Sequence, residues 1–153
     1  MRTKIIAEFS LNHKGDIDLL AEMIRKAKEA GADYAKIQTL FADDLSFREE
    51  FESFRPYKQE YERLKPLELN KEKHLIFIEE CNKVGITPLT TVFSKKAIEL
   101  AVELGFKEIK IASPYCARPE IIEEASKYFD KFIISTGMTK ESEILNTLNI
   151  LKD

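Results

Sequence analysis

Cysteine, histidine, glycine and proline are all scarce in this chain of 153 residues, and no long apolar run interrupts it. The two cysteines, Cys81 in a helical pattern and Cys116 in a loop pattern, form no C-x-x-C pair and no Cys/His cluster. Neither a zinc site nor a disulfide framework is therefore indicated, and a reducing, cytoplasmic setting fits best. Two histidines, His13 and His74, are too few to suggest a metal centre of their own. The start, MRTKIIAEFS, passes from two basic residues straight into a short apolar run without a signal-peptide core. Nothing reaches the ~20 apolar residues that a membrane-spanning helix needs. With 5 Gly and 5 Pro the composition is neither fibrous nor low-complexity. A formal charge of −3 argues against a broad basic surface for nucleic acid, so a small-molecule site is the better expectation. The whole chain is 44% hydrophobic and 33% charged, the profile of one continuous domain. A chain of this size buries ~70% of its unfolded surface, enough for a core without disulfides.

Five times a short β-branched or apolar run precedes a longer amphipathic segment, the pattern of βα units building a parallel sheet. Strands are predicted near Lys4–Glu8, Tyr34–Gln38, Thr87–Thr91, Glu108–Ala112 and Lys131–Ser135. Helices are predicted over Ile17–Ala30, Lys71–Val84, Lys95–Leu104, Pro119–Tyr128 and Lys140–Leu151. Asp16, Asn70, Ser94 and Thr139 each offer a side-chain oxygen to an orphan amide at a helix start. Gly31, Gly85 and Gly105 stand where the first three of these helices end. An aromatic and acidic excursion from Phe41 to Leu69 breaks the rhythm, and a connection that long is usually functional or loosely ordered. The expected fold is α/β: a partial TIM-type (β/α) barrel with about five of the eight units of a closed barrel of ~250 residues.

Ligands of parallel β/α folds sit at the carboxyl ends of the strands. Those ends carry Glu8, then Lys36 and Gln38, then Thr90 and Thr91, then Lys110 and Ser113, then Ser135 and Thr136. Glu8, Lys36 and Lys110 lie within otherwise apolar strands, where an unpaired charge is costly unless a partner or ligand compensates it. Two lysines with several hydroxyls suit an anion bearing phosphate and carboxylate, a description that phosphoenolpyruvate meets. The competing reading is a structural network in which Glu8 pairs with Lys36 or Lys110.

The motifs Glu8-Phe9-Ser10-Leu11-Asn12-His13-Lys14-Gly15, Ala30-Gly31-Ala32-Asp33, Lys36-Ile37-Gln38-Thr39, Leu89-Thr90-Thr91-Val92-Phe93-Ser94, Lys110-Ile111-Ala112-Ser113 and Ser135-Thr136-Gly137-Met138 resemble, in order and spacing, those of the N-acetylneuraminate (sialic acid) synthase family. The similarity runs over nearly the whole chain and includes the YERLKPLEL segment at Tyr61–Leu69. The resemblance implies that Lys36, Thr91, Lys110, Ser113 and Ser135 hold phosphoenolpyruvate while Glu8 and Gln38 lie on the sugar side, with Glu8, Lys36 and Lys110 as the catalytic set. It further implies attack by C3 of the enolpyruvate on the aldehyde carbon of an N-acetylmannosamine-type sugar, addition of water at C2 and departure of phosphate. A divalent metal, Mn or Mg, would polarise the aldehyde in the full-length family enzyme.

Departures from the family pattern are Ser10 for a usual Gly, Val92 for a usual Pro, and Pro114-Tyr115 where Gly and an acid are general. The last of these affects the sugar side. The family's metal-binding histidines belong to later strands and its sugar-capping domain lies beyond those, so no metal is expected on this chain. His74 is read as a surface or helix-terminal residue, and His13 as the donor or acceptor of a loop-orienting hydrogen bond. The chain is expected to be the amino-terminal part, residues 1–153, of a synthase barrel making a nine-carbon 2-keto sugar acid, inactive alone and homo-oligomeric. Two alternatives stay open: a class I aldolase with a Schiff base on Lys36 or Lys110, and a non-catalytic half-barrel that binds an anion or pairs with another subunit.

Overall fold

A computed structural model describes residues 2–44, 52–53 and 56–151. Residues 45–51 and 54–55 of the Phe41–Leu69 excursion lie outside the described residues. The strands are β1 (Ile6–Ser10), β2 (Tyr34–Thr39), β3 (Thr87–Val92), β4 (Ile109–Ile111) and β5 (Phe132–Ile134), and the sheet follows chain order, β1-β2-β3-β4-β5. The helices are α1 (Ile17–Glu29), α2 (Tyr57–Leu64), α3 (Lys71–Val84), α4 (Lys95–Glu103), α5 (Ser113–Cys116), α6 (Pro119–Ser126) and α7 (Glu141–Ile150). An order that never reverses, with a helix after each strand, is that of a (β/α) barrel; a doubly wound sheet reverses part-way. The five predicted strands are all present, shifted by a residue or two. No described helix is long and apolar enough to cross a membrane. The chain divides within β3 into two compact units, Met1–Pro88 and Leu89–Asp153.

In the first unit, β1 runs parallel to β2 with Ile6 opposite Tyr34, Ala7 opposite Ala35 and Glu8 opposite Lys36. The register then slips so that Ser10, not Phe9, faces Ile37. This is a β-bulge, a device that re-aims side chains next to sites. Ala35, Lys36, Ile37 and Thr39 are all buried, as befits a strand covered on both faces. Asp33 anchors the entry to β1 by accepting from the Ile5 amide and pairing with Arg2 and Lys4. Helix α1 starts because Asp16 accepts from the amides of Asp18 and Leu19, and it turns Leu20 and Ile24 inward. Helix α3 is capped by Asn70 and stopped by left-handed Gly85, and its buried stripe is His74, Phe77 and Cys81. Between β2 and α3, where no helix is predicted, α2 and two 3-10 turns occupy the described part of the excursion.

In the second unit, β3, β4 and β5 pair in parallel, with Thr91 opposite Lys110 and Lys110 opposite Ile133. Leu89, Val92, Ile109 and Ile111 bury their side chains, together with Ala97, Ile98 and Ala101 of α4 and Ile122 and Ala125 of α6. Ser94 caps α4 through the Ala97 amide, as predicted. Thr139 does not cap α7. Its hydroxyl is spent on the Gly137 carbonyl, and the cap position falls one residue later, on Lys140, whose amide donates to the Glu143 carboxylate. Cys116, predicted in a loop, lies in the short helix α5 and is fully buried.

Candidate active site

The parallel register of β1 and β2 brings Glu8 opposite Lys36, and the bulge that follows turns the Ser10 amide onto the same carboxylate. Lys36 Nζ lies 2.7 Å from Glu8 Oε2, while the Ser10 amide donates to Oε1 at 2.8 Å. Both carboxylate oxygens are thus engaged from one side of the chain. The pair is unequal in exposure: the Lys36 side chain is 2% exposed and that of Glu8 48%. The cation is thus interior while its carboxylate partner is half-solvated. Gln38, half-buried, follows Lys36 by two residues and so shares its face of β2. Glu8, Lys36 and Gln38 are the predicted site residues that lie in the first unit.

Ser10 has φ +50°, a conformation that glycine adopts without cost. That conformation suits the Gly that the family pattern favours there, and in it the Ser10 backbone amide reaches Glu8. The loop beyond it is held by His13, whose Nδ1 accepts from the Gly15 amide at 3.0 Å, the loop-orienting bond expected from sequence. Gly15, at φ +76°, is pressed so closely against the excursion that an added Cβ would come 2.6 Å from the Pro66 carbonyl oxygen.

His74 is not a surface residue. It is 1% exposed, with Nε2 2.8 Å from Thr39 Oγ1 and Nδ1 2.9 Å from the Asn70 carbonyl. The signal was present in the spacing: His74, Phe77 and Cys81 fall at i, i+3 and i+7, one helical stripe. Burial lowers the pKa of both histidines. For His13 the positive charges of His74 and Lys73 lower it further, whereas the Ser10 backbone favours the protonated ring.

In the second unit Thr91 and Lys110 are lateral neighbours on one face of β3 and β4. Ser113 begins α5 directly after β4, and Ser135 follows β5 with its amide on the Ile111 carbonyl at 3.1 Å. The Ser135–Gly137 loop runs past Ser113, since a Cβ on Gly137 would lie 3.8 Å from Ser113 Oγ. Thr91, Lys110, Ser113 and Ser135 thus gather at the carboxyl ends of three adjacent strands. Tyr115, one of the departures from the family pattern, packs edge-on against Phe93 with ring centroids 5.9 Å apart, and Arg118 lies 5.6 Å above its ring.

The NeuB family pattern matches residues 23–153. This chain belongs to the NeuB family. It is 36% identical to the N,N'-diacetyllegionaminic acid synthase of Legionella pneumophila over 97% of its own length and 43% of that protein's. It is 30% identical to the human N-acetylneuraminate-9-phosphate synthase over the same shares. Among solved structures, the N-acetylneuraminic acid synthetase of Leptospira borgpetersenii in complex with citrate superposes with a TM-score of 0.87 at 30% identity, covering 99% of this chain and 50% of that one. A truncated 3-deoxy-D-arabino-heptulosonate 7-phosphate synthase from Thermotoga maritima shares the fold, with a TM-score of 0.68 at 13% identity. The chain spans less than half the length of these two curated NeuB-type relatives.

The divalent metal that the family resemblance implies does not fit the residues described. His74 has both ring nitrogens engaged and His13 has Nδ1 engaged. Among the described residues no group of three or more His, Cys, Asp or Glu could hold a metal ion.

Proposed function

We propose that this chain is the phosphoenolpyruvate-binding part of a cytoplasmic synthase that joins phosphoenolpyruvate to an N-acetylmannosamine-type amino sugar, giving a nine-carbon 2-keto sugar acid. The observation that carries the reading is the buried Lys36 ammonium within β2, held by the partly solvated Glu8. Lys36 and Lys110 supply positive charge for the carboxylate and phosphate of the enolpyruvate, with Thr91, Ser113 and Ser135 as short hydrogen-bond donors. Glu8 and Gln38 serve the sugar. In the reaction a C–C bond forms between C3 of the enolpyruvate and the aldehyde carbon. Water adds at C2, and the C2–O bond breaks as phosphate leaves. Preorganised lysines stabilise the charge that develops on the departing phosphate. Relatives bearing synthase names support this reading, as does the shared fold. Any metal would have to be held by residues outside those described, so this chain alone should bind phosphoenolpyruvate and turn over little of it. Its assembly into a homo-oligomer belongs to the same proposal.

The Schiff-base alternative needs a lysine nitrogen free to attack a carbonyl, whereas Lys36 Nζ is engaged by the Glu8 carboxylate at 2.7 Å. Isothermal titration of phosphoenolpyruvate into the wild-type chain and into Lys36→Met and Lys110→Met tests the proposal. Saturable binding, weakened ~10–100-fold by either change, corresponds to the loss of a charged hydrogen bond. Binding indifferent to both lysines, or a covalent pyruvate adduct after borohydride reduction, would reject it.

A further inference from the structure

The loop between β1 and α1 contains a histidine that the proposed chemistry does not use. His13 is wholly buried, its Nδ1 accepts from the Gly15 amide, and Nε2 has no hydrogen-bond partner. A ring that accepts at Nδ1 must carry its proton at Nε2 when neutral. A buried donor is thus left unspent so that Nδ1 stays available as an acceptor, and such an orphan calls for an explanation. Burial, then the His74 and Lys73 charges, lower the ring's pKa, against a smaller opposing effect of the Ser10 backbone.

The acceptor serves a strained piece of chain. Ser10, Lys14 and Gly15 all have positive φ within six residues, and two of them are not glycine. The turns between them are closed by Asn12 on Phe9, Lys14 on Leu11 and Asp16 on His13. His13 therefore holds the loop twice, through its carbonyl to Asp16 and through its ring to Gly15. Gly15 is in turn fixed from outside by Lys73 Nζ, which donates to its carbonyl at 2.7 Å, and by the close approach of Pro66. At the other end of the loop is the Ser10 amide, which grips Glu8 Oε1.

We infer that His13 is a positioning residue for Glu8: by holding the left-handed loop through Gly15, it keeps the Ser10 amide on the carboxylate that faces Lys36. The inference rests on the proposed role of the Glu8–Lys36 pair, but its structural arm can be read without any substrate. His13→Leu fills the buried space and removes the acceptor, whereas His13→Asn places an oxygen where Nδ1 stood. Amide hydrogen exchange by NMR should show Ser10 exchanging at least ~10-fold faster in His13→Leu, near the wild-type rate in His13→Asn, and unchanged amides along β2 in both. An unchanged Ser10 rate, or an equal acceleration of all amides of the unit, would overturn the inference. Should His13→Leu not fold, His13→Gln, which lacks an acceptor at the Nδ1 position, carries the same comparison.

A double-mutant cycle adds the functional arm. His13→Leu should shift phosphoenolpyruvate affinity severalfold in the wild-type background, by changing how Glu8 occupies Lys36, and leave it unchanged in the Glu8→Gln background, because the effect passes through that carboxylate. The same fold-change in both backgrounds would mark a merely structural residue and overturn the inference. If the wild-type chain binds no phosphoenolpyruvate, the proposed function fails, and the Ser10 exchange rates still decide the role of His13.

Discussion

Substitution of Lys36 should cost less stability than substitution of Glu8 and more binding, and the exposures of the two side chains set the stability order. Removing one member of a buried pair generally costs about 3–5 kcal/mol because the other charge is stranded. Here only one member is buried: Lys36 is 2% exposed and Glu8 48%. In Lys36→Met the carboxylate keeps the Ser10 amide and rehydrates, while an unbranched apolar side chain of similar length fills the strand interior. The expected change in stability is within about 1 kcal/mol, or ~2–4 °C for a domain of this size. In Glu8→Ala the interior ammonium loses an anionic partner, and we expect a loss of about 2 kcal/mol, below the general range because the carboxylate is half-solvated. Thermal unfolding followed by circular dichroism gives the first comparison and calorimetric titration with phosphoenolpyruvate the second. Lys36→Met should be the more stable variant and the weaker binder. If Lys36→Met is the less stable of the two, Lys36 is a structural cation, and the argument that its charge is retained for a ligand fails.

Other outcomes follow from the same geometry. His13 and His74 have pKa values held below the ordinary ~6.5 by burial, so the unfolded chain takes up protons first. Stability should be level above pH 7 and fall as pH drops through about 6.5 toward the lower folded values, before the exposed carboxylates titrate. Denaturant titrations at pH 7.5 and 5.5 should show this, with a smaller difference in His74→Gln; an equal difference would assign the acid sensitivity elsewhere. Gly15→Ala should destabilise by about 1–3 kcal/mol, because a Cβ would meet the Pro66 carbonyl at 2.6 Å with the backbone at φ +76°. A chemical melt unchanged from wild type would show that the excursion is not seated there. Burial pushes the Cys81 thiol up to about 12, and Cys116 is fully buried, so neither should react with a thiol reagent until the chain unfolds. Rapid labelling of Cys81 in the native protein would contradict its place on α3.

The strands and helices were legible because each rests on local chemistry. Asp16, Asn70 and Ser94 cap where the sequence puts them, and Gly85 stops α3 in a left-handed conformation. Thr139 misled because two local partners compete for one hydroxyl, and the Gly137 carbonyl wins. His74 does lie in the first turn of α3, as a helix-terminal residue, but not at the surface, because the stripe it shares with Phe77 and Cys81 is buried. Of the seven residues read as the site, the register itself brings Glu8 to Lys36 and Thr91 to Lys110. What the sequence could not express is the bulge at Phe9, a one-residue slip that puts the Ser10 amide on Glu8. Nor could it show that Glu8 is half-exposed while Lys36 is enclosed, since burial of a charge depends on neighbours distant in the chain.

The most direct measurement is calorimetric titration of phosphoenolpyruvate into the wild-type chain, repeated with Lys36→Met. Saturable binding to the wild type, lost or weakened at least ~10-fold in a variant that unfolds at the wild-type temperature or above, is the predicted result. Heats indistinguishable from dilution with the wild type, or equal affinity in Lys36→Met, would contradict the claim that this buried ammonium is held for an anionic substrate.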